Sequence, residues 1–227
     1  MFRPKSVQSV LIAIFLITTL TSAQNYQLES LSTYDGLLNN TVSCIMQDRL
    51  GYIWIGTDHG LSQYDGYEFT HFTVEPHHAN SLLASAVLSL CEDHEGNLWI
   101  GTGRGAVRLN KTRSMFTSHK ITDVRSISVT QDSSIWFGTS AGLSIRQHQS
   151  GKWKFFNNYI EKGTQFLLEG ISCIYPDTLG RMWVATDAGE LIRVARNKSS
   201  DMTCMRIFYG SSRTDDEPEH QRLVHCI

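Results

Sequence analysis

An all-β chain of repeated four-stranded blades is what this sequence predicts, on three observations: a seven-residue pattern recurs four times, the recurrences are spaced like blades, and the best-punctuated unit divides into four short strands. The pattern reads Gly51-Tyr52-Ile53-Trp54-Ile55-Gly56-Thr57, Gly96-Asn97-Leu98-Trp99-Ile100-Gly101-Thr102, Ser133-Ser134-Ile135-Trp136-Phe137-Gly138-Thr139 and Gly180-Arg181-Met182-Trp183-Val184-Ala185-Thr186. Each copy is followed, three residues past its threonine, by Gly60, Gly105, Gly142 or Gly189. The tryptophans are 45, 37 and 47 residues apart, and units of about 40–50 residues are propeller blades. In the first unit, alternation and glycine punctuation place strands at 42–47, 53–57, 61–64 and 67–72, with turns at 48–51, 58–60 and 65–66. Four antiparallel strands make one blade of a β-propeller.

From the start of the chain, Arg3 and Lys5 precede an apolar run over residues 10–20 and the small residues Thr21-Ser22-Ala23. This is the layout of a signal peptide, residues 1–23, cleaved near Ala23. The eleven-residue run is shorter than the roughly 20 residues a membrane span requires. A propeller domain over 24–227, outside the cytoplasm, is therefore expected, with blades at about 40–79, 80–121, 122–165 and 166–215. Residues 26–31 are expected as an outer strand of a further blade. Val42, Val87 and Ile171 each stand twelve residues before a repeat tryptophan, and the ending Val224-His225-Cys226-Ile227 resembles Val42-Ser43-Cys44-Ile45 and Ile171-Ser172-Cys173-Ile174. Residues 223–227 thus read as the first strand of a fifth blade. The expected ring is incomplete, an open arc with sheet edges exposed for self-association.

Within each blade the residue types suggest their roles. Trp54, Trp99, Trp136 and Trp183 are expected to fill the spaces between neighbouring blades, where a large ring buries most apolar area. Gly56, Gly101 and Gly138 are expected to permit close approach, whereas Gly60, Gly105, Gly142 and Gly189 suit turns of positive φ. Ala185 replaces the close-approach glycine in the fourth unit. The third unit lacks an aspartate six residues before Trp136, and a shorter hairpin at 131–134 with a different bottom turn is expected there. Of five cysteines, Cys44, Cys173 and Cys226 hold equivalent places in different blades and read as small buried residues; no disulfide is proposed.

Composition narrows the chemistry. A formal net charge of −2 with scattered basic residues gives no electrostatic footprint for nucleic acid. His77 and His78 are adjacent, without a completing cysteine or carboxylate, so no metal is assigned. Neither a nucleophile elbow nor a phosphate loop is present, and no cofactor is expected. Antiparallel pairing puts the loops between blades on the same rim as the turns between second and third strands. That rim carries Asp58 and His59, Arg104, Ser140 and Asp187, together with His77, His78 and Asn80. Polar groups there suit sugar hydroxyls, and Arg104 suits the carboxylate of an acidic sugar.

Tyr34-Asp35-Gly36-Leu37, then Asn40-Thr41-Val42, the Asp48-to-Thr57 core and Gly60-Leu61-Ser62-Gln63-Tyr64-Asp65 resemble the two-component regulator propeller repeat family, over about 25–227. The resemblance implies a periplasmic ligand-sensing propeller of a hybrid two-component histidine kinase, with the kinase and DNA-binding parts outside this sequence. It also implies a polysaccharide-derived ligand, a homodimer in the parent sensor, and no enzymatic activity in these residues. Two alternatives remain at this stage: a secreted propeller lyase or glycosidase drawing on Asp58, His59 and Asp187 as acid and base, and a protein-interaction scaffold using the same rim.

Overall fold

The computed structural model describes residues 28–78, 80–161, 164–196 and 202–208. Residues 1–31 and 32–227 are separate compact units, and every described strand belongs to the second. The signal-peptide reading and the ending at 223–227 lie outside the described residues. Of the segment 26–31, the described part, residues 28–31, holds no strand.

Four sheets follow one another, each with its strands hydrogen-bonded in chain order. Blade 1 holds β1 (Val42–Gln47), β2 (Ile53–Thr57), β3 (Gly60–Tyr64) and β4 (Phe69–Phe72). Blade 2 holds β5 (Val87–Glu92), β6 (Leu98–Thr102), β7 (Gly105–Leu109) and β8 (Phe116–His119). Blade 3 holds β9 (Val124–Val129), β10 (Ile135–Thr139), β11 (Gly142–Arg146) and β12 (Trp153–Phe156). A separate hairpin, β13 (Asn158–Glu161) and β14 (Thr164–Leu167), precedes blade 4, which holds β15 (Ile171–Pro176), β16 (Met182–Thr186), β17 (Leu191–Arg196) and β18 (Met202–Phe208). The inner strands β1, β5, β9 and β15 lie side by side, and the ring is not closed. The hairpin has no counterpart between the other blades, and no repeat signal announces it. In blade 1 the first two strands fall where the sequence puts them, while the outer strand begins at Phe69 because Asp65 accepts hydrogen bonds from the amides of Tyr67 and Glu68 and keeps both in the turn.

The tryptophans do pack between blades. Trp54 is fully buried against Val87, Leu98, Ile100, Val107 and Leu109 of blade 2. Trp99 is fully buried against Val124, Ile127, Ile135 and Phe137 of blade 3, and Trp136 packs on Ile171, Ile174, Met182 and Val184 of blade 4. Trp183 is only half-buried. A second contact accompanies each ring. Every inner strand carries a register irregularity near its first residue, which turns that residue back toward the preceding blade. Val87, Val124 and Ile171 thereby sit on the glycine of the blade before: a Cβ at Gly56 would stand 2.7 Å from Val87 Cγ1, at Gly101 2.8 Å from Val124 Cγ1, and at Gly138 2.6 Å from Ile171 Cγ2. Glycine at these places is therefore a close-packing requirement across the seam.

An aspartate clamp orients the tryptophans. Asp48 Oδ1 accepts from the amides of Leu50 and Tyr52 at 3.0 and 3.1 Å, and Oδ2 accepts from Trp54 Nε1 at 2.8 Å. Asp93 and Asp177 repeat this for Trp99 and Trp183, at 2.8 and 3.1 Å. In blade 3 the aspartate's place is held by Thr130, and Trp136 Nε1 is buried without a partner. The turn itself is not shortened, contrary to the sequence reading. Thr130 and Ser133 make the same backbone bonds as Asp48 and Gly51, and Val124 stands twelve residues before Trp136, as Val42 does before Trp54. What differs is that Ser133 takes a φ of 60° where the other three blades have glycine.

Two substitutions separate these effects. Gly101→Ala should lower stability by about 1–3 kcal/mol, because Val124 and its backbone cannot both retreat, whereas Ser133→Gly should raise it by roughly 0.5–1 kcal/mol by relieving the left-handed serine. Urea unfolding followed by tryptophan fluorescence measures both; equal effects of the same sign would contradict the packing described here.

Candidate functional site

One rim of the array gathers the turns between second and third strands with the segments joining blades. In blades 1 to 3 each turn is closed by the repeat threonine. Thr57 Oγ1 donates to the Gly60 carbonyl at 2.9 Å and accepts from the His59 amide at 3.2 Å. Thr102 and Thr139 do the same for Gly105 and Gly142 and for the amides of Arg104 and Ala141. The invariant threonine, whose role the sequence does not disclose, thus frees the two residues between it and the glycine to vary. In blades 1 to 3 they are Asp58 and His59, Gly103 and Arg104, and Ser140 and Ala141.

The structure sorts the expected site residues. Asp58, His59 and Arg104 are exposed on this rim; His59 Nδ1 lies 2.7 Å from Asn39 Nδ2. Ser140 is half-buried, and its carbonyl accepts from the Gly170 amide at 2.8 Å, while the Gly170 carbonyl accepts from the Asp187 amide at 2.7 Å. Ser140 and Asp187 are thereby joined across the third seam. Asp187 is not a free carboxylate: it is ion-paired with Arg125, which also holds Asp123 at 2.9 Å. Burial disfavours charge on Arg125, but the two carboxylates outweigh it and raise its pKa. Arg125 and Asp123 escape sequence reasoning because neither lies in a repeated position. His78 pairs locally with Glu75 at 3.1 Å, and Asn80 binds the Ser114 carbonyl and the Phe116 amide, so both serve the loop that carries them.

The opposite rim is where the seams are charged. Arg113, from the turn after β7, reaches back to Asp48 at 2.9 Å and to Glu92 at 3.6 Å, and its guanidinium lies 5.2 Å from the Trp54 ring centre. Arg49 binds Glu92 and the carbonyls of Asp93 and His94. Burial works against ionisation of Asp48, yet the bonds from Trp54, Arg113 and two amides prevail and hold its pKa below the ordinary carboxylate value. The same balance, with Arg181 and Trp183 as donors, brings Asp177 down to about 2. Between blades 2 and 3, His119 stacks on Trp99 at 5.1 Å and meets Trp153 at 5.4 Å. Burial, then Arg108 and Arg146, push its pKa down.

The free cysteines among the described residues are not reactive groups. Burial pushes the Cys44 and Cys91 thiols up to about 12 and Cys204 to about 11. These three are free, whereas Cys173 is disulfide-bonded. The sequence reading proposes no disulfide, and Cys173 departs from it. Among the described residues no cluster of His, Cys, Asp and Glu is arranged to hold a metal, and no helix is long and apolar enough to cross a membrane.

Tryptophan seams, aspartate clamps and threonine-closed turns define a β-propeller repeat protein. Residues 36–59, 81–104 and 166–188 match the family model described as two component regulator propeller. The matched segments fall in blades 1, 2 and 4, while blade 3, which lacks the clamp, lies outside them. The chain is similar to a histidine kinase of Formosa agariphila, 33% identical over 81 residues, which is 35% of this chain and 6% of that protein. It is also similar to two crystal structures of the extracellular domain of one B. thetaiotaomicron system, described in one case as a one-component and in the other as a hybrid two-component system. The first has a TM-score of 0.62 at 23% identity, covering 73% of this chain and 23% of that one. The second has a TM-score of 0.61 at 19% identity, covering 79% and 31%. The chain therefore spans under a third of each of these relatives.

The titrations predict an acid profile. A depressed carboxyl contributes stability that is complete above the unfolded pKa of about 3.9 and is lost as pH falls through the folded value, here about 2 for Asp177. His119, lowered in the fold, adds a separate loss that begins as pH drops below its unfolded value of about 6.5, because the unfolded chain takes up the proton first. Melting temperatures between pH 8 and 2 should fall in two stages. His119→Phe should remove the upper stage and Asp48→Asn should soften the lower; a single stage untouched by either would refute the assignment.

Proposed function

We propose that this chain is the extracellular sensing part of a hybrid two-component system, exported to the periplasm by its leader, and that its rim takes an oligosaccharide derived from a polysaccharide. The observation that carries the reading is the turn frame: in three successive blades the same threonine-to-glycine closure holds a different pair of residues on one rim, each with at least one polar member, above rigid seams. A scaffold of this kind varies its contact residues without touching its core, which is what a family of receptors for related ligands requires. The extracellular domains to which the chain is similar, and the histidine kinase 33% identical to it over 81 residues, support the regulatory role. Transfer of the signal would belong to kinase and DNA-binding parts outside this sequence.

Within that role the rim residues divide. Asp58, His59 and Arg104 are presented to solvent and offer a carboxylate, an imidazole and a guanidinium for hydroxyl and carboxylate groups of a sugar. Ser140 and Asp187 position the third seam, through Gly170 and Arg125. An acid–base mechanism would draw on Asp58, His59 and Asp187, but Asp187 is neutralised by Arg125 and His59 is engaged by Asn39.

The test is a saccharide array probed with the purified chain, followed by calorimetry on any ligand found. One class of oligosaccharide should bind without being cleaved, and Arg104→Ala or Asp58→Ala should weaken it about tenfold, the scale of one charge-assisted hydrogen bond, with no change in melting temperature. Release of new reducing ends would overturn the sensor reading in favour of an enzyme, and silence across the array would overturn the saccharide.

A further inference from the structure

The seam between blades 2 and 3 departs electrically from its neighbour. At the first seam both cations have carboxylates, since the largely buried Arg113 is paired with Asp48 and Glu92 and the exposed Arg49 with Glu92. At the second, Arg108 and Arg146 are half-buried and make no ion pair among the described residues. Arg108 Nε and His119 Nε2 are buried without hydrogen-bond partners. Arg146 lies 5.8 Å from the centre of the Trp99 ring, which offsets part of its charge by a cation–π contact. Both guanidinium groups bear on His119.

This cationic seam opens outward as a groove of about 440 Å³ between the outermost strands β8 and β12, and Lys120, Lys154, His119, Trp153 and Phe155 are among its lining residues. None of the residues lining it is acidic. Asp123, just beyond its upper end, is taken by Arg125. Trp153 is 40% and Phe155 54% exposed, although Trp153 is held by ring contacts of 5.3 Å to the fully buried Phe137 of β10 and 5.4 Å to His119. An outer strand with two aromatic rings presented to a groove, and cations without anions behind and beside them, is poorly explained by folding alone. Unpaired charge and exposed aromatic surface each cost stability in an empty groove.

The geometry points to this groove as a binding site for an acidic saccharide, a pyranose ring whose apolar C–H face lies on Trp153 while its carboxylate is held by Lys120 and Lys154. The negative face of the indole attracts the ring's weakly positive hydrogens, and the lysine pair and the cationic seam behind it supply the field that selects an anion. The volume suits a short oligosaccharide lying partly in the groove rather than a long chain. The site is formed by other residues than the rim, and its occupancy does not depend on what the rim binds.

Intrinsic tryptophan fluorescence and calorimetry with trigalacturonic acid, its methyl ester and inorganic sulfate test it on the whole chain. Trigalacturonic acid should bind with a change in tryptophan emission, the methyl ester should bind at least tenfold more weakly, and rising salt should weaken binding. Lys120→Ala combined with Lys154→Ala, both exposed and outside the core, should lower affinity at least tenfold while leaving the melting temperature unchanged. Arg104→Ala, on the rim, should leave it untouched. Equal binding of acid and ester, equal binding by the double variant, or binding of sulfate without the saccharide would overturn the proposal. Loss of binding in Arg104→Ala alone would transfer the ligand to the rim and leave the groove without one, so failure of this site and failure of the rim are told apart.

Discussion

Everything in this molecule hangs on one contact, the seating of a tryptophan from each blade against the next. A four-stranded antiparallel sheet of this length cannot bury two faces by itself, and the blades are stable only as neighbours. The tryptophan supplies the apolar area, the glycine two residues on removes the side chain that would hold the blades apart, and the irregularity near the start of the next inner strand delivers Val87, Val124 or Ile171 into the space so created. The three features are useless separately. A bulge without the glycine would clash, and a glycine without the bulge would leave a void beside the indole.

The aspartate clamp then decides how well each seam is specified. Asp48, Asp93 and Asp177 fix a turn and an indole with one carboxylate. In blade 3 the indole N–H of Trp136 is left unpaired, a cost on the order of 1–3 kcal/mol, and Ser133 carries a strained backbone where glycine would be relaxed. Blade 3 is thus the weakest member of the array by two independent criteria. It also separates the two unusual features of the fold, the cationic second seam before it and the inserted β13–β14 hairpin after it. Local imperfection and local elaboration coincide.

The repeat, its four strands and the seam tryptophans were legible in the sequence because each recurs in phase, so every blade repeats the same statement. The bulged residues were nearly legible: Val42, Val87 and Ile171 align by spacing, and Val124 completes the series once the third turn is seen to keep its length. What could not be read were the contacts unique to one seam. Arg125 with Asp123 and Asp187, Arg113 with Asp48, and His119 between two tryptophans join residues far apart in sequence at positions no other blade repeats. For the rim, the sequence located the turns themselves but treated Asp187 as an available ligand group, because a carboxylate's partner on another blade leaves no local trace.

Rigid blades joined by seams of unequal quality also constrain how such an array could transmit a signal. The backbone within a blade is fixed by ladder bonds on both sides of each central strand, so a ligand that touches a single blade has little to bias. A ligand spanning two blades acts on the seam between them, and it shifts that seam only by as much as its affinity differs between the two settings. The seams best suited to have two settings are those flanking blade 3, where the indole is unclamped on one side and cations lack partners on the other. Binding an anion at the second seam would supply the missing charge and draw blades 2 and 3 together, while the third seam, tied at the rim by Ser140, Gly170, Asp187 and Arg125, would carry the displacement onward to blade 4.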